Sequence, residues 1–378
     1  MEWHGAWGNV SIMTKIIHFH FNTRTNVGDA AHVTAIRECL GAALERPQWT
    51  SVPLRRLKRE THMEALLRRI RRHDLMLIGG GGLYAKWALP LNQQLIAAID
   101  IPLVIFGVGY NRNFGDPPLS QAQLDSIAVL NGKAALCAVR DEPSKRFLAD
   151  MGFPASLTGD PALFLRRKKA RLRLEDKVRI GINLAAHGWH GQATCLDRVV
   201  DACVEAIEKL RHSRDLQLFY LSHTPQEVEV AKRLKKRLPG LCICRLAAPK
   251  LLYVYEQLDL VITMMLHASI FAFAARTPFV NIAYDEKNQA FMALTGHEDR
   301  VIDVHEISAD RLWHMAEAIL ATPVDNTDAD FRQELLARTS AFVAQVGHLV
   351  GQRTTSGWDT PVKWRVNLQG RKPRQDWP

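Results

Sequence analysis

No run of apolar residues in this 378-residue chain approaches the roughly 20 needed to cross a bilayer as a helix. Residues 1–10 also lack the charged and then apolar order of a secretion signal. We therefore expect a cytoplasmic protein; Met13, just ahead of the first strand pattern, offers a second start beside Met1. Cysteine is sparse: Cys39, Cys137, Cys195, Cys203, Cys242 and Cys244 are scattered, mostly in apolar contexts, which suits buried free thiols rather than a disulfide framework. Cys242 and Cys244 share one face of a strand pattern, but no second cluster completes a metal site, and core packing accounts for them. Neither a G-x-x-x-x-G-K-[ST] loop nor G-x-G-x-x-G is present, so a nucleoside triphosphatase and a dinucleotide site are both unsupported. Aromatic residues make up 8% and do not interleave with the basic clusters at 55–59, 68–72, 166–169 and 363–374. The net charge of +10 thus argues against a nucleic-acid stacking groove. It leaves solvated helix faces, a basic linker and peripheral attraction to an anionic membrane surface.

Short β-branched or apolar runs do recur, each closing on glycine, asparagine or a charged residue, with helical periodicity between them. Strands are expected at 15–21, 74–78, 103–107 and 135–139, then at 178–184, 216–221, 242–246, 260–263 and 279–283. The pattern predicts an α/β protein of two doubly wound, Rossmann-like lobes facing a cleft suited to an anionic, phosphorylated small molecule. The expected divisions are an N-terminal lobe at 13–165, a basic linker at 166–177 and a C-terminal lobe at 178–325. A helix at 326–350 folds back, and a basic, loosely ordered tail follows at 351–378.

Ligands of parallel sheets sit beyond the carboxyl ends of strands, so the loops there carry the candidates. After the first strand, Asn26-Val-Gly28-Asp29 leads into a helix. Gly28 permits a close approach to the helix N-terminus, Asn26 is the preferred ligand, and Asp29 is either a cap or a ligand. After the second, Gly79-Gly80-Gly81-Gly82 leaves backbone amides open to a phosphate, a carboxylate or a sugar face, or forms only a tight turn. Arg140, at a strand end before a proline-initiated helix, either aims its fork at an anion or pairs with Asp141 or Asp160. In the second half, Asn183, His187, His190 and His223 follow strands, but their spacing matches no familiar metal pattern, and no metal is expected. His267 lies between an apolar strand and an apolar helix, where the helix dipole tunes its charge and it can donate a proton or a hydrogen bond to an anion, unless it is a satisfied core histidine. Lys287 closes a later strand and can neutralise phosphate, whereas Asp328-Ala-Asp330 reads as a helix start. Tyr84, Arg112 and His223 are candidates on the side of a second substrate.

Taken in order, Asn26-Val-Gly28-Asp29, Ile78-Gly-Gly-Gly-Gly82, Phe106-Gly-Val-Gly109, Val139-Arg140-Asp141-Glu-Pro-Ser144, Gly159-Asp160-Pro161-Ala162, Leu266-His267-Ala268 and Tyr284-Asp285-Glu-Lys287 resemble the polysaccharide pyruvyl transferase family, over about residues 15–294. The resemblance implies a glycosyltransferase-B-like fold, phosphoenolpyruvate as donor, and a sugar of a capsule, exopolysaccharide or lipid-linked precursor as acceptor. It implies no cofactor. Ketal formation asks for an acid to protonate C3 of phosphoenolpyruvate and for cations facing a carboxylate and a phosphate, but for no obligatory metal. His267 then becomes acid or phosphate ligand, Arg140 and Lys287 anion clamps, and the glycines with Asn26 a floor. The family usually carries an arginine directly before Leu-His, where this chain has Met265. Two other functions share the two-lobed plan: a nucleotide-sugar glycosyltransferase, and a catalytically silent protein that binds a glycan or a phosphorylated metabolite.

Overall fold

The computed structural model describes residues 13–21, 25–59, 61–111, 116–185, 192–322 and 327–355, except the side chains of 192–194, 327–329 and 352–355. His187 and Arg112 therefore lie outside the described residues.

Two wholly parallel six-stranded sheets are present. The first contains β1 (Lys15–His20), β2 (Gln48–Pro53), β3 (Leu75–Ala85), β4 (Leu103–Asn111), β5 (Leu136–Val139) and β6 (Ser156–Leu157), in the order β2-β1-β3-β4-β5-β6. Its helices are α1 (Val27–Gly41), α2 (Met63–Ile70), α3 (Gln93–Ala97), α4 (Gln121–Lys133) and α5 (Glu142–Asp150). The second contains β7 (Val178–Asn183), β8 (Leu216–Leu221), β9 (Cys242–Cys244), β10 (Leu260–Thr263), β11 (Phe279–Ala283) and β12 (Val301–Asp303), in the order β12-β11-β10-β7-β8-β9. With it go α6 (Gln192–Arg211), α7 (Glu227–Arg237), α8 (Ala248–Tyr255), α9 (Leu266–Ala275), α10 (Glu286–Leu294) and α11 (Ala309–Ala321), before the long α12 (Thr327–Thr355). Read from β9, the second order is the doubly wound 3-2-1-4-5-6.

Central strands are buried on both faces, as helix-covered parallel sheets require: Ile16, Ile17, Leu75, Leu77, Val104 and Ile105 are fully buried, as are Ile180, Ile182, Val261 and Ile262. The edge strands β2, β6 and β12 are not among the expected ones. They are six, two and three residues long, and β2 buries only Val52, so no apolar run marks them. The second strand differs in the opposite sense: it runs on through all four glycines to Ala85 rather than stopping at Ile78. Gly80 (φ 75°) and Gly81 (φ 78°) take the left-handed region that other residues resist, and the β3–β4 register shifts between Gly81 and Tyr84.

A mixed apolar cluster joins the lobes: Ala31 and Ala35 of α1 pack with Leu251 and Val254 of α8 and with Ala268 and Phe271 of α9. The Val27 N–H donates to the His223 carbonyl (2.9 Å), binding α1's start to the loop after β8. Helix α12 returns to the first lobe, where Phe342, Val343 and Val346 meet Ile16, Leu75 and Phe106. Strand order reverses between β1 and β3 in one sheet and between β7 and β10 in the other, the crevices where such sheets take ligands. Asp29 and His267 follow β1 and β10, Asn183 closes β7, and Gly80 lies within β3.

Candidate active site

Helix α1 begins at Asn26 because its side-chain oxygen accepts from the Gly28 (2.8 Å) and Asp29 (3.3 Å) amides, while Ala30 donates to the Asn26 carbonyl (3.1 Å). With Val27 bound to His223, all four leading amides of α1 are committed. An anion at Asn26 and Gly28 would therefore find the backbone amides taken and only the Asn26 side-chain NH2 left to donate. Asn26 is the cap, and Gly28 is glycine because a Cβ there would fall on the His267 ring. Asp29 is left with its carboxylate in the cleft, where burial pushes it up to about 6 against the pull of His32 and Arg140.

One helical turn on, His32 is buried and joins two elements. Its Nε2 lies 2.8 and 2.9 Å from the Asp160 carboxylate oxygens and 3.2 Å from Nε2 of His267. Asp160 also caps the single 3-10 turn at Pro161–Phe164, accepting from Ala162 (2.9 Å). Burial alone would raise its carboxyl, but His32, His267 and Arg140 outweigh that and hold it well below the usual carboxylate range. An ionised Asp160 only accepts, so His32 carries hydrogen on Nε2, whether or not Nδ1 is protonated too. His267 must then offer Nε2 as a lone pair, and in its neutral form its proton sits on Nδ1, the edge that faces Gly28. Burial and the neighbouring His32 push the His267 imidazole well below its ordinary value, so without a ligand it is neutral near pH 7. His32 was not singled out from sequence. Its one signal is spacing: it follows Gly28 by four residues and Asp29 by three, on the same helix face.

His267 itself lies in the first turn of α9, whose N-cap position is Met265 and has no side-chain cap. The Met265 amide is held by Asn183 Oδ1 (3.1 Å), and its sulfur accepts from the Tyr284 hydroxyl (3.7 Å). The Ala268 and Ser269 amides donate to the Met265 carbonyl (2.9 and 3.4 Å), so α9 leaves the Leu266 and His267 amides without an acceptor among the described residues, where α1 leaves none.

The other candidates divide. Arg140 is buried, with Nη2 donating to Asn111 Oδ1 (2.6 Å), Nε to Asp141 (3.3 Å) and Nη1 3.6 Å from Asp160, so its fork is engaged within the protein rather than free. Lys287 pairs with Asp285 (2.5 Å) and lies 5.2 Å above the Tyr284 ring. Burial would lower the ammonium, but Tyr284 and Asp285 outweigh it and keep the charge firmly on. Asn183 is a strut, not an open ligand: it donates to Leu221 (2.8 Å) and Glu227 (3.0 Å) besides holding Met265. His223 is equally buried, with Nε2 at 2.8 Å from the Tyr255 hydroxyl. Tyr84 is a core residue donating to Asn131 (2.9 Å), which removes it from the side of a second substrate. Gly80 and Gly82 are buried under the His32 and Asn111 side chains, so they form a close-packed floor rather than an open loop.

Ligand atoms of His32, Asp160 and His267 all lie within 4.8 Å of one another, the one trio among the described residues able to hold a divalent cation. It is not the set of histidines that the sequence brought to notice.

The family model described as "Polysaccharide pyruvyl transferase" matches residues 26–286, a span that begins at the α1 cap and ends just past Asp285. No curated protein matches the chain. Among solved structures, the fold is similar to a UDP co-structure of MnaA from S. aureus, with 12% identity, TM-score 0.57, and 92% of this chain and 100% of that one covered. It is similar also to the UDP-GlcNAc 2-epimerase of Methanocaldococcus jannaschii, with 12% identity, TM-score 0.56, and coverage of 83% and 94%. The spinosyn forosaminyltransferase SpnP gives 12% identity, TM-score 0.56, and coverage of 89% and 99%. At such identity these likenesses carry the two-lobed, glycosyltransferase-B-like fold alone. With the family model covering more than half of its length, the chain belongs to the polysaccharide pyruvyl transferase family and is a transferase.

Proposed function

We propose that this transferase moves the pyruvyl group of phosphoenolpyruvate onto two hydroxyls of one sugar in a cell-surface polysaccharide or its lipid-linked precursor, forming a ketal and releasing phosphate without cofactor or metal. The observation that carries it is His267 on the uncapped first turn of α9, backed by the His32–Asp160 pair. The donor's phosphate or carboxylate lies at that helix start, with the positive end of the α9 dipole behind it and Lys287, charged and paired with Asp285, as a further cation for it. Arriving with two or more negative charges, it reverses the electrostatics that keep His267 neutral, and the His32–His267 pair takes up a proton with Asp160 as counter-ion.

His267 is the acid. It passes its proton to C3, C2 becomes electrophilic, and a sugar hydroxyl oxygen bonds to C2. The second hydroxyl then closes the ring as the C2–O bond to phosphate breaks. Asp160 and His32 do not touch the donor. They hold the His267 tautomer, as the buried carboxylate of a catalytic triad holds its histidine.

No described helix is long and apolar enough to cross a membrane. The net charge of +10 supports work in the cytoplasm at an anionic membrane face, where a lipid-linked acceptor would be presented.

Calorimetric titration with phosphoenolpyruvate and, separately, with uridine diphosphate sugars tests the reading in wild type and His267→Gln. Phosphoenolpyruvate binding that weakens in the variant is expected. Binding of the nucleotide sugar alone would replace the reading with glycosyl transfer, and binding of neither would leave a silent glycan- or metabolite-binding protein.

A further inference from the structure

Few large apolar side chains are exposed among the described residues, and one of them borders the cleft. Trp87, in the turn after β3, is 49% exposed and lies against Phe21, at the end of β1, with ring centroids 4.9 Å apart and planes at 55°. Phe21 is fixed from below: its carbonyl lies 2.7 Å from Nδ1 of His20, and its ring packs on Gly81, where a Cβ would be 2.7 Å away. The same Cβ would be 3.7 Å from Oδ1 of Asp29. One glycine thus carries the aromatic pair and the carboxylate side by side, while Gly80, the residue before it, carries His32.

Among the described residues the Asp29 carboxylate accepts no hydrogen bond, although it stands beside donors. An aromatic face next to an unengaged carboxylate is what a pyranose calls for: its C–H face covers the ring, and its hydroxyl hydrogens seek an acceptor. We infer that Phe21 and Trp87 form the platform for the acceptor sugar and that Asp29 is the base for its attacking hydroxyl. The inference rests on the pyruvyl-transfer reading for the step, but not for the binding of a sugar.

The proton count closes. As His267 gives its proton to C3 of phosphoenolpyruvate, the first hydroxyl oxygen bonds to C2 and its hydrogen passes to Asp29. When the second hydroxyl attacks C2, the C2–O bond to phosphate breaks and the leaving phosphate carries away that hydroxyl's hydrogen. Proton exchange from Asp29 back to His267 resets both groups. The groups facing Asp29 are His32 on its own helix, Arg140 after β5 and Asp160 before the 3-10 turn, with His267 across the cleft. The carboxylate must be ionised to act, so turnover rises with pH through about 6, the value to which burial pushes it.

The test titrates purified protein with methyl β-galactopyranoside, methyl β-glucopyranoside and methyl α-mannopyranoside, each with its 4- and 6-hydroxyls free, and separately with phosphoenolpyruvate. At least one glycoside binds wild type, Trp87→Ala weakens it tenfold or more while phosphoenolpyruvate affinity stays within twofold, and Trp87→Phe recovers most of the loss. With the bound glycoside as acceptor, Asp29→Asn lowers turnover about 100-fold and removes the rise near pH 6, while glycoside affinity stays within threefold. Equal glycoside binding by wild type and Trp87→Ala, or no binding by any of the three, overturns the platform. Full turnover by Asp29→Asn with the same pH profile overturns the base. Glycoside binding without phosphoenolpyruvate binding would overturn the donor reading and leave the platform standing.

Discussion

Helices α1 and α9 enter the same cleft from opposite lobes, each after a strand at a point where strand order reverses, yet α1 commits all four leading amides and α9 leaves two, those of Leu266 and His267, without an acceptor among the described residues. In α1 the Asn26 side chain takes two amides, the Asn26 carbonyl a third and His223 a fourth. In α9 the N-cap position is a methionine whose carbonyl takes the Ala268 and Ser269 amides but whose side chain takes none, leaving those of Leu266 and His267. Position after a strand nominates an anion site; the cap residue decides whether the amides remain for a ligand. On the proposed reading the two ends take different work, α1 supplying side chains (Asp29 and His32) and α9 supplying its leading amides and His267.

Removing the link between the two helices has the largest expected effect. Asp160→Asn turns a pure acceptor into a group whose amide can donate to Nε2 of His32, so His32 shifts its hydrogen to Nδ1 and His267 is driven to the opposite tautomer. Turnover should fall about 100-fold or more, with the KM for phosphoenolpyruvate changed less than threefold; a loss confined to KM would place Asp160 in donor binding instead. Next, Met265→Asp gives α9 the cap it lacks and adds a negative charge where the donor's anion belongs. Phosphoenolpyruvate affinity should drop at least tenfold, whereas Met265→Arg, the residue usual in the family, should tighten it. Unchanged affinity in both variants would mean the α9 terminus is not the anion site. The smallest effect belongs to the matching change in α1: Asn26→Ala should cost about 1 kcal/mol of stability, read as a fall of a few degrees in Tm. Its phosphoenolpyruvate affinity should stay within twofold, because those amides never meet the donor.

The same contrast shows how far the sequence could be read. Central strands were legible because burial on both faces makes them continuous apolar runs, as in Leu103–Asn111 and Leu260–Thr263. Edge strands such as Gln48–Pro53 were not, since one packed face leaves no run to see. His267 was legible from its place between an apolar strand and an apolar helix. Its partner His32 was not, because a histidine within a helix carries no mark until the fold brings Asp160, 128 residues away, to its side chain. Asn26 and Asp29 exchanged roles for a local reason: both are able caps, and only backbone geometry shows that the helix starts at the first. Tyr84 read as a cleft residue because the strand looked finished at Ile78; once β3 continues through the glycines, Tyr84 is carried into the core.

The central claim is that an anionic donor binds at His267 and makes the His32–His267 pair take up a proton. The most direct measurement is the heat of phosphoenolpyruvate binding near pH 7 in several buffers of different ionisation enthalpy, which yields the protons exchanged on binding, for wild type and for His267→Gln. The sign is set by burial and His32 holding His267 well below its ordinary value in the free protein and by the donor's charge raising it in the complex, so protons are taken up between those two values. The account predicts that wild type takes up close to one proton more than the variant; equal uptake by the two proteins, at whatever affinity, would contradict it.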